Sequence, residues 1–474
     1  MSAEAAPLTV RQATRRFVGL TALRWLPVGI TIPVTVLLAL SRGLSLADVG
    51  LMFLVHSVLV VLLELPTGGL ADALGRRPVL VVSGLLHLAS CLVYATAHAL
   101  PAFTAATALL ALGRALDSGP LEAWYVDTVH RTDPRADVVP GLSRAGIADC
   151  LALALGAIAG GLAPGLLDGP SSSLLVLPYV AACALDVVSV AAVLLLVTPT
   201  GPARGGSALR AVGDGVRALP LTVREAVGLS VRDPALRRVL ALSAVTGLAL
   251  STLELLGPPL FADLRGSREG GSGVFGVVMA VSFVAGASGA ALAPSARRLA
   301  RGSTRSAVAG LSVLSGLAFC GVASARTVAL AAAAYAGYYL AGAAGGPLLN
   351  AVLHGRVGAD RRATVLSAKS LALQAGGALS SLAVPYVVEL RSVAAAYLLV
   401  GTALLAATVL ALRLPPSADE EPLLDEPLHD GQHLLGGLGV GEAGAAGQHG
   451  EQVAEPAVPV APREQRRPVR VDPA

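Results

Sequence analysis

Gly68-Gly69-Leu70-Ala71-Asp72-Ala73-Leu74-Gly75-Arg76-Arg77 decides how this chain is read. It sits at the end of one long apolar run and just before the next. Three glycines, an acid and two arginines fall together in a stretch short enough for a tight turn. Such a turn can join two antiparallel helices of membrane-crossing length only at a membrane surface, so the remainder of the chain is read outward from it.

The composition agrees. Of 474 residues, 54% are hydrophobic and 14% charged, with a mean hydropathy of +0.70. A soluble domain carries about 25% charged residues. A bundle embedded in lipid needs no polar surface and is the simplest reading. Aromatic residues are 4% of the chain, which argues against stacking platforms for nucleic acid. The formal charge of +4 comes almost wholly from arginine, and Lys369 is the single lysine. Cys91, Cys150, Cys183 and Cys320 all fall in apolar runs without metal-ligand spacing, and read as small core residues with no redox chemistry. No phosphate-cradling Gly-Lys-Ser/Thr loop, zinc spacing or Ser-His-Asp arrangement is present, so ATP drive, a metal, an enzyme activity and an organic cofactor are not expected. The first apolar run is too long for a signal peptide and reads as a retained membrane helix.

Apolar runs of about 20 residues, enough to cross a hydrocarbon core of ~30 Å, span 17–40, 47–70, 78–97, 102–126, 142–166, 174–197, 236–261, 273–294, 306–323, 327–349, 364–388 and 393–413. Lipid tolerates no unpaired backbone groups, so each of the twelve is expected to be a helix. The alternation of a membrane barrel is absent. The arginine-rich loops carry Arg76 and Arg77, Arg131 and Arg135, Arg297, Arg298 and Arg301, and Arg356, Arg361 and Arg362. They alternate with arginine-poor loops, which places the rich set and both termini in the cytoplasm. The organisation is then a cytoplasmic N-terminus (1–16), a six-helix half (17–197), a linker (198–235), a second six-helix half (236–413) and a tail (414–474). The linker, with Leu209, Val212, Val216 and Leu219 at helical spacing, reads either as an amphipathic surface helix or as a solvated connection. The tail, rich in Pro, Gly, Glu and His, reads as disordered. The halves echo each other: Gly68–Arg77 aligns without gaps on Gly289–Arg298, and only the first copy keeps its acid and its inner glycine.

The stretch Gly68–Arg77, placed between the second and third of twelve helices, resembles the signature loop of the major facilitator superfamily. Gly68, Asp72, Gly75, Arg76 and Arg77 match; Ala73 departs at a position the family fills with a basic residue. The likeness covers about residues 11–413. It implies two pseudo-symmetric six-helix halves that rock about a mid-membrane site. Arg114 resembles the arginine of the helix-four motif of drug:proton antiporters, with Asp117 where that motif has Gln. Gly156 and Gly160 match part of their helix-five motif, although small residues at this spacing also serve plain helix packing. By the same resemblance Asp127 should bond Arg76 or Arg77, and Asp72 should cap the eleventh helix, together forming a gate latch.

Ionisable residues in lipid cost at least ~2.5–3.5 kcal/mol at a helix centre on insertion scales. Those here concentrate in the first half: Arg24, Glu64, Arg114, Asp117, Glu122 and Asp149, with Asp186 and Glu254 as outliers. On one continuous fourth helix, Arg114, Ser118, Glu122 and Tyr125 share a face and Arg114 can pair with Asp117. That stripe reads as a proton or substrate site, or else as a static internal pair. Glu64 and Lys369 lie at similar depth, either as a bridge between the halves or with Lys369 extended to the interface. His56 and His87 are single polar residues in apolar helices. Tyr335, Tyr338 and Tyr339 line a cavity or fill a core. The expected function is proton-coupled efflux of a small compound from the plasma membrane by a monomer. The alternatives are uptake of a metabolite and a non-transporting sensor or scaffold. The partners are a small-molecule substrate, protons and the bilayer, with no nucleic acid.

Overall fold

The structure is a computed structural model. It describes residues 8–117, 119–167, 170–198, 228, 233–356 and 362–415, with backbone only at 64–73, 171–172, 354 and 362–364. These residues lie in the first of two compact units, Met1–Pro422. The proposed linker helix and tail fall outside the described residues, apart from a few flanking positions.

Every described regular element is a helix, and no strand occurs among the described residues. In chain order the α-helices are α1 (Val10–Thr31), α2 (Thr35–Ser41), α3 (Leu46–Leu74), α4 (Arg76–Thr96), α5 (Leu100–Asp117), α6 (Pro120–Thr132), α7 (Val139–Leu162), α8 (Ser171–Leu174), α9 (Leu177–Leu196), α10 (Pro234–Arg265), α11 (Arg268–Leu299), α12 (Thr304–Ala323), α13 (Val328–His354), α14 (Arg362–Leu390) and α15 (Val393–Leu412). Among the described residues, eleven spans are long and apolar enough to cross a membrane. The fourth crossing, α5 with α6, completes the twelve.

Two crossings are not the single helices expected. The first is divided between α1 and α2 at Pro33, which has no N–H to donate to the helical ladder. The fourth is divided at Gly119-Pro120. Gly119 adopts φ +96°, a left-handed conformation suited to glycine, and Pro120 starts α6 at a position where its missing N–H has no helical partner to lose. Helix starts follow their side chains. Thr9 and Gln12 form a capping box on α1, and Ser45 and Asp48 form another on α3.

Helix pairing repeats between the halves. In the first half, α1 packs on α7, α3 on α5 and α4 on α9; in the second, α10 packs on α14, α11 on α13 and α12 on α15. These are the same pairs by order of crossing. Glycine makes the closest of them possible. A Cβ on Gly160 would lie 1.8 Å from the Ile30 carbonyl oxygen, and one on Gly247 would lie 1.8 Å from that of Leu373. Backbones that approach this closely gain van der Waals contact where lipid supplies no hydrophobic drive.

The halves meet through α7 on α11 and α3 on α14. The close approaches are on the side opposite the termini. There Ser272 Oγ donates to the Gly161 carbonyl at 3.0 Å, and Gly50 faces the Ser381 carbonyl and Pro385.

The two repeat copies do not turn at equivalent residues. Gly75, at φ +87°, ends α3, and Arg76 opens α4. In the second copy Ala296 occupies that place, and α11 runs on through Arg297 and Arg298. The turn waits for Arg301 (φ +56°) and Gly302 (φ +81°).

Candidate functional site

The charged residues of the first half converge from different crossings. Arg24 on α1 places Nε 2.6 Å from Asp117 Oδ2 at the end of α5. Asp117 is buried, and its Oδ1 has no hydrogen-bond partner among the described residues. Arg24 Nε is likewise without an aligned hydrogen bond among them, so the contact is an ion pair rather than a directed N–H···O bond. Asp149 on α7 lies within electrostatic reach of both Arg24 and Arg114. Trp25 carries both cations: the Arg114 Cζ is 4.6 Å from the ring centroid and the Arg24 Cζ 5.7 Å. Such contacts are worth about 0.5–2 kcal/mol depending on hydration. His56 on α3 is within reach of Arg114. Two guanidiniums, two carboxylates, an indole and an imidazole thus form one balanced cluster.

This arrangement changes the sequence reading in two respects. Arg114 sits over Trp25, and the carboxylate of Asp117 is paired from a different crossing, by Arg24. The break at Gly119 also removes the shared face. Glu122 is exposed in the first turn of α6, and Tyr125 is buried, stacked on Phe17 at 4.5 Å, so neither joins Arg114. Ser118 falls outside the described residues. The second half is aromatic where the first is charged. Tyr335 and Tyr397 share a hydroxyl hydrogen bond of 2.8 Å in the core. Glu254 is exposed, with Tyr338 and Tyr339 within its electrostatic reach.

A family model described as Major Facilitator Superfamily matches residues 17–368. The chain belongs to this superfamily. It is therefore a multi-pass membrane protein of a family of small-molecule transporters. Among solved structures, the nucleoside transporter NupG is similar at 13% identity and a TM-score of 0.66, over 85% of this chain and 98% of that one. The human organic anion transporter MFSD10 is similar at 19% identity and 0.57, over 85% and 99%. The peptide transporter POT, solved with sulfate, is similar at 16% identity and 0.64, over 85% and 94%. At these identities the likeness is one of fold. A search of curated proteins finds no match.

The superfamily's loop is partly visible. Arg76 places Nη1 2.6 Å from Asp127 Oδ2 and donates to the Ala123 carbonyl at 2.5 Å, tying α4 to α6. Arg77 instead donates to the Leu194 carbonyl, and Arg16 donates to that of Leu196 at 3.0 Å. Both arginines thereby cap the last turn of α9, where the helix presents its negative end. The side chains of Gly68's neighbour Asp72 and of Glu64 lie outside the described residues. Lys369 donates to Asn350 Oδ1 at 2.5 Å, within the second half. Asn350 was not singled out by the sequence, where a lone amide on a crossing carries no signal of its partner.

Asp127 is half exposed at its side chain, so its pair is expected to add only about 0.2–1 kcal/mol of stability. A double-mutant cycle of Arg76→Ala and Asp127→Ala in thermal melts should return a coupling in that range. Independent effects of the two changes would show that the contact carries no energy.

Proposed function

We propose that this chain is a proton-coupled secondary transporter that exports a small, amphipathic compound by alternating access. The observation that carries the reading is the Arg24–Asp117 ion pair, 2.6 Å across two crossings in the interior of the first half, with Asp149, Arg114 and Trp25 around it. While Asp117 is ionised it holds Arg24. A proton on Asp117 cancels that attraction and releases the guanidinium. A buried charge left without a partner is costly, so the proton and a competing group on the substrate exclude one another at this pair. Exclusion of that kind makes the exchange obligatory. Asp149 is a second proton site on the same cluster. Glu122 has no part in it, because it lies beyond the helix break.

Export is favoured by the antiporter-like residues. Arg114 holds its motif position at the cluster, and Gly156 and Gly160 seat α7 on α1. The termini are assigned to the cytoplasm on the loop arginines, and the plasma membrane is the membrane proposed for the export. The Arg76–Asp127 contact, with Gly68, Asp72, Gly75 and Arg77, is assigned to latching the side that carries the termini. Glu64 and Lys369 are assigned to the same closure, with Lys369 released from Asn350 when the halves approach. A single chain supplies both halves, so a monomer suffices.

The test is transport in proteoliposomes with a pH-sensitive dye inside and a panel of amphipathic compounds outside. A compound that moves protons in the opposite sense, in wild type but not in Asp117→Asn, is the expected result. Proton movement in the same sense as the compound would overturn export by antiport.

A further inference from the structure

We propose that His87, Cys91, Cys183 and Asp186 form a metal site between the third and sixth crossings, suited to a borderline dication such as Zn2+. The residues come from two facing helices. His87 and Cys91 are four apart on α4, and Cys183 and Asp186 three apart on α9, so each pair shares one helix face. The two helices pack on each other, and the faces meet.

The donor atoms are already gathered. His87 Nδ1 lies 2.9 Å from both carboxylate oxygens of Asp186, and Cys91 Sγ lies 4.0 Å from the same nitrogen. Imidazole, thiol and carboxylate donor atoms all fall within 4.8 Å of one another. Cys183, facing Cys91 across the two helices, lies outside that group but close enough to Cys91 to offer a fourth donor. A tetrahedral zinc ion with ligands at about 2.0–2.3 Å spaces its donors roughly 3.3–3.8 Å apart. Shifts of about an ångström would bring the imidazole, the Cys91 thiol and the carboxylate to such spacings, leaving the fourth position to Cys183. Nitrogen, oxygen and two sulfurs suit Zn2+ or Co2+, whereas Mg2+ and Ca2+ take oxygen.

Burial adds to the case. Cys91 is 2% and Asp186 4% exposed, and the His87 side chain is 16% exposed. In such surroundings a plain ion pair returns little net stability. A metal would bind both thiolates and the carboxylate at once. The site is also connected to the charge cluster. His87 is within electrostatic reach of Asp117, and a Cβ on Gly113 of α5 would lie 3.6 Å from the His87 backbone nitrogen. An ion bound here would cross-link two helices within one half, beside the Arg24–Asp117 pair, and leave the interface between halves free.

The test uses full-length protein in detergent, reduced, treated with a chelator and titrated with Co2+. One equivalent is expected to bind, with a thiolate-to-cobalt charge-transfer band and the visible bands of a tetrahedral site, and Zn2+ should displace it. Cys91→Ser should weaken binding more than about tenfold, beyond the lower end of what loss of an outer partner costs. Cys183→Ser should do the same and, being only partly buried, is the safer variant to fold. Zn2+ should raise the melting midpoint of wild type but not of either variant. Absence of the charge-transfer band at saturating Co2+ would overturn the proposal. So would its persistence in the Cys91→Ser/Cys183→Ser double variant, since the ion would then sit elsewhere.

Discussion

Replacing Gly161 with valine is expected to hold apart the two halves on the side opposite the termini. A Cβ there would lie 2.5 Å from the Ser272 carbonyl oxygen and 2.9 Å from the Gly276 Cα. Both are backbone atoms of α11, so no flexible side chain can swing aside. The contact joins the halves, and separating them relieves it without disturbing either. Overpacking costs about 1–3 kcal/mol, which as a bias between two conformations is about 5- to 150-fold in their ratio. Pulsed distance measurements between labels at the far ends of α7 and α11 should show the longer distance gaining population. Gly160→Val is the companion. Its Cβ would meet Ile30 inside the first half, 1.8 Å from the carbonyl oxygen. It should lower thermal stability and leave the distance ratio near wild type. If the two neighbours behave alike, α7 does not divide its glycines between internal packing and the interface.

The second large effect concerns the ion pair. Asp117→Leu leaves the Arg24 guanidinium partly buried beside a lost partner, and Arg24→Leu strands the buried Asp117 carboxylate. Breaking a buried pair from one side costs about 3–5 kcal/mol. Arg24 keeps a quarter of its side chain exposed, and Arg114 and Asp149 remain nearby, so the lower end applies. The double variant removes both charges, and apolar replacement of a whole pair is often neutral. Melting of the double variant should therefore recover most of what each single change loses. Its transport should not recover, because the pair at which proton and substrate exclude one another is gone even though Asp149 remains. A double variant that transports would make the pair a structural strut alone.

The sequence shows the fold plainly because lipid enforces it. A crossing needs about 20 apolar residues, and runs such as 174–197 and 393–413 stand out against charged loops. Breaks inside a run are less visible. Gly119-Pro120 is a strong local signal, but the apolar residues on either side merged it into one expected helix, and with it went the supposed face shared by Arg114, Glu122 and Tyr125. The repeat was readable, yet its turn was not. Ala296 in place of Gly75 moves the second turn to Gly302, a consequence of backbone conformation that an ungapped alignment does not weigh. The pairings of the site were the least legible. Arg24 with Asp117, and His87 with Asp186, join residues from different crossings, and nothing in linear spacing links them. The rule that charges in lipid seek partners identified the candidates without matching them. The cysteines show the same limit: each has a local partner at helical spacing, His87 for Cys91 and Asp186 for Cys183, but nothing along the chain joins the two pairs across α4 and α9.

The central claim is that a proton on Asp117 releases Arg24 and changes which side of the molecule is closed. The most direct measurement is the pH dependence of the distance distribution between the far ends of α7 and α11 in the reconstituted protein, in wild type and in Asp117→Asn, with no substrate needed. The account predicts a distribution that shifts with pH in wild type and stays fixed in Asp117→Asn. An Asp117→Asn protein that retains the wild-type pH response would contradict it.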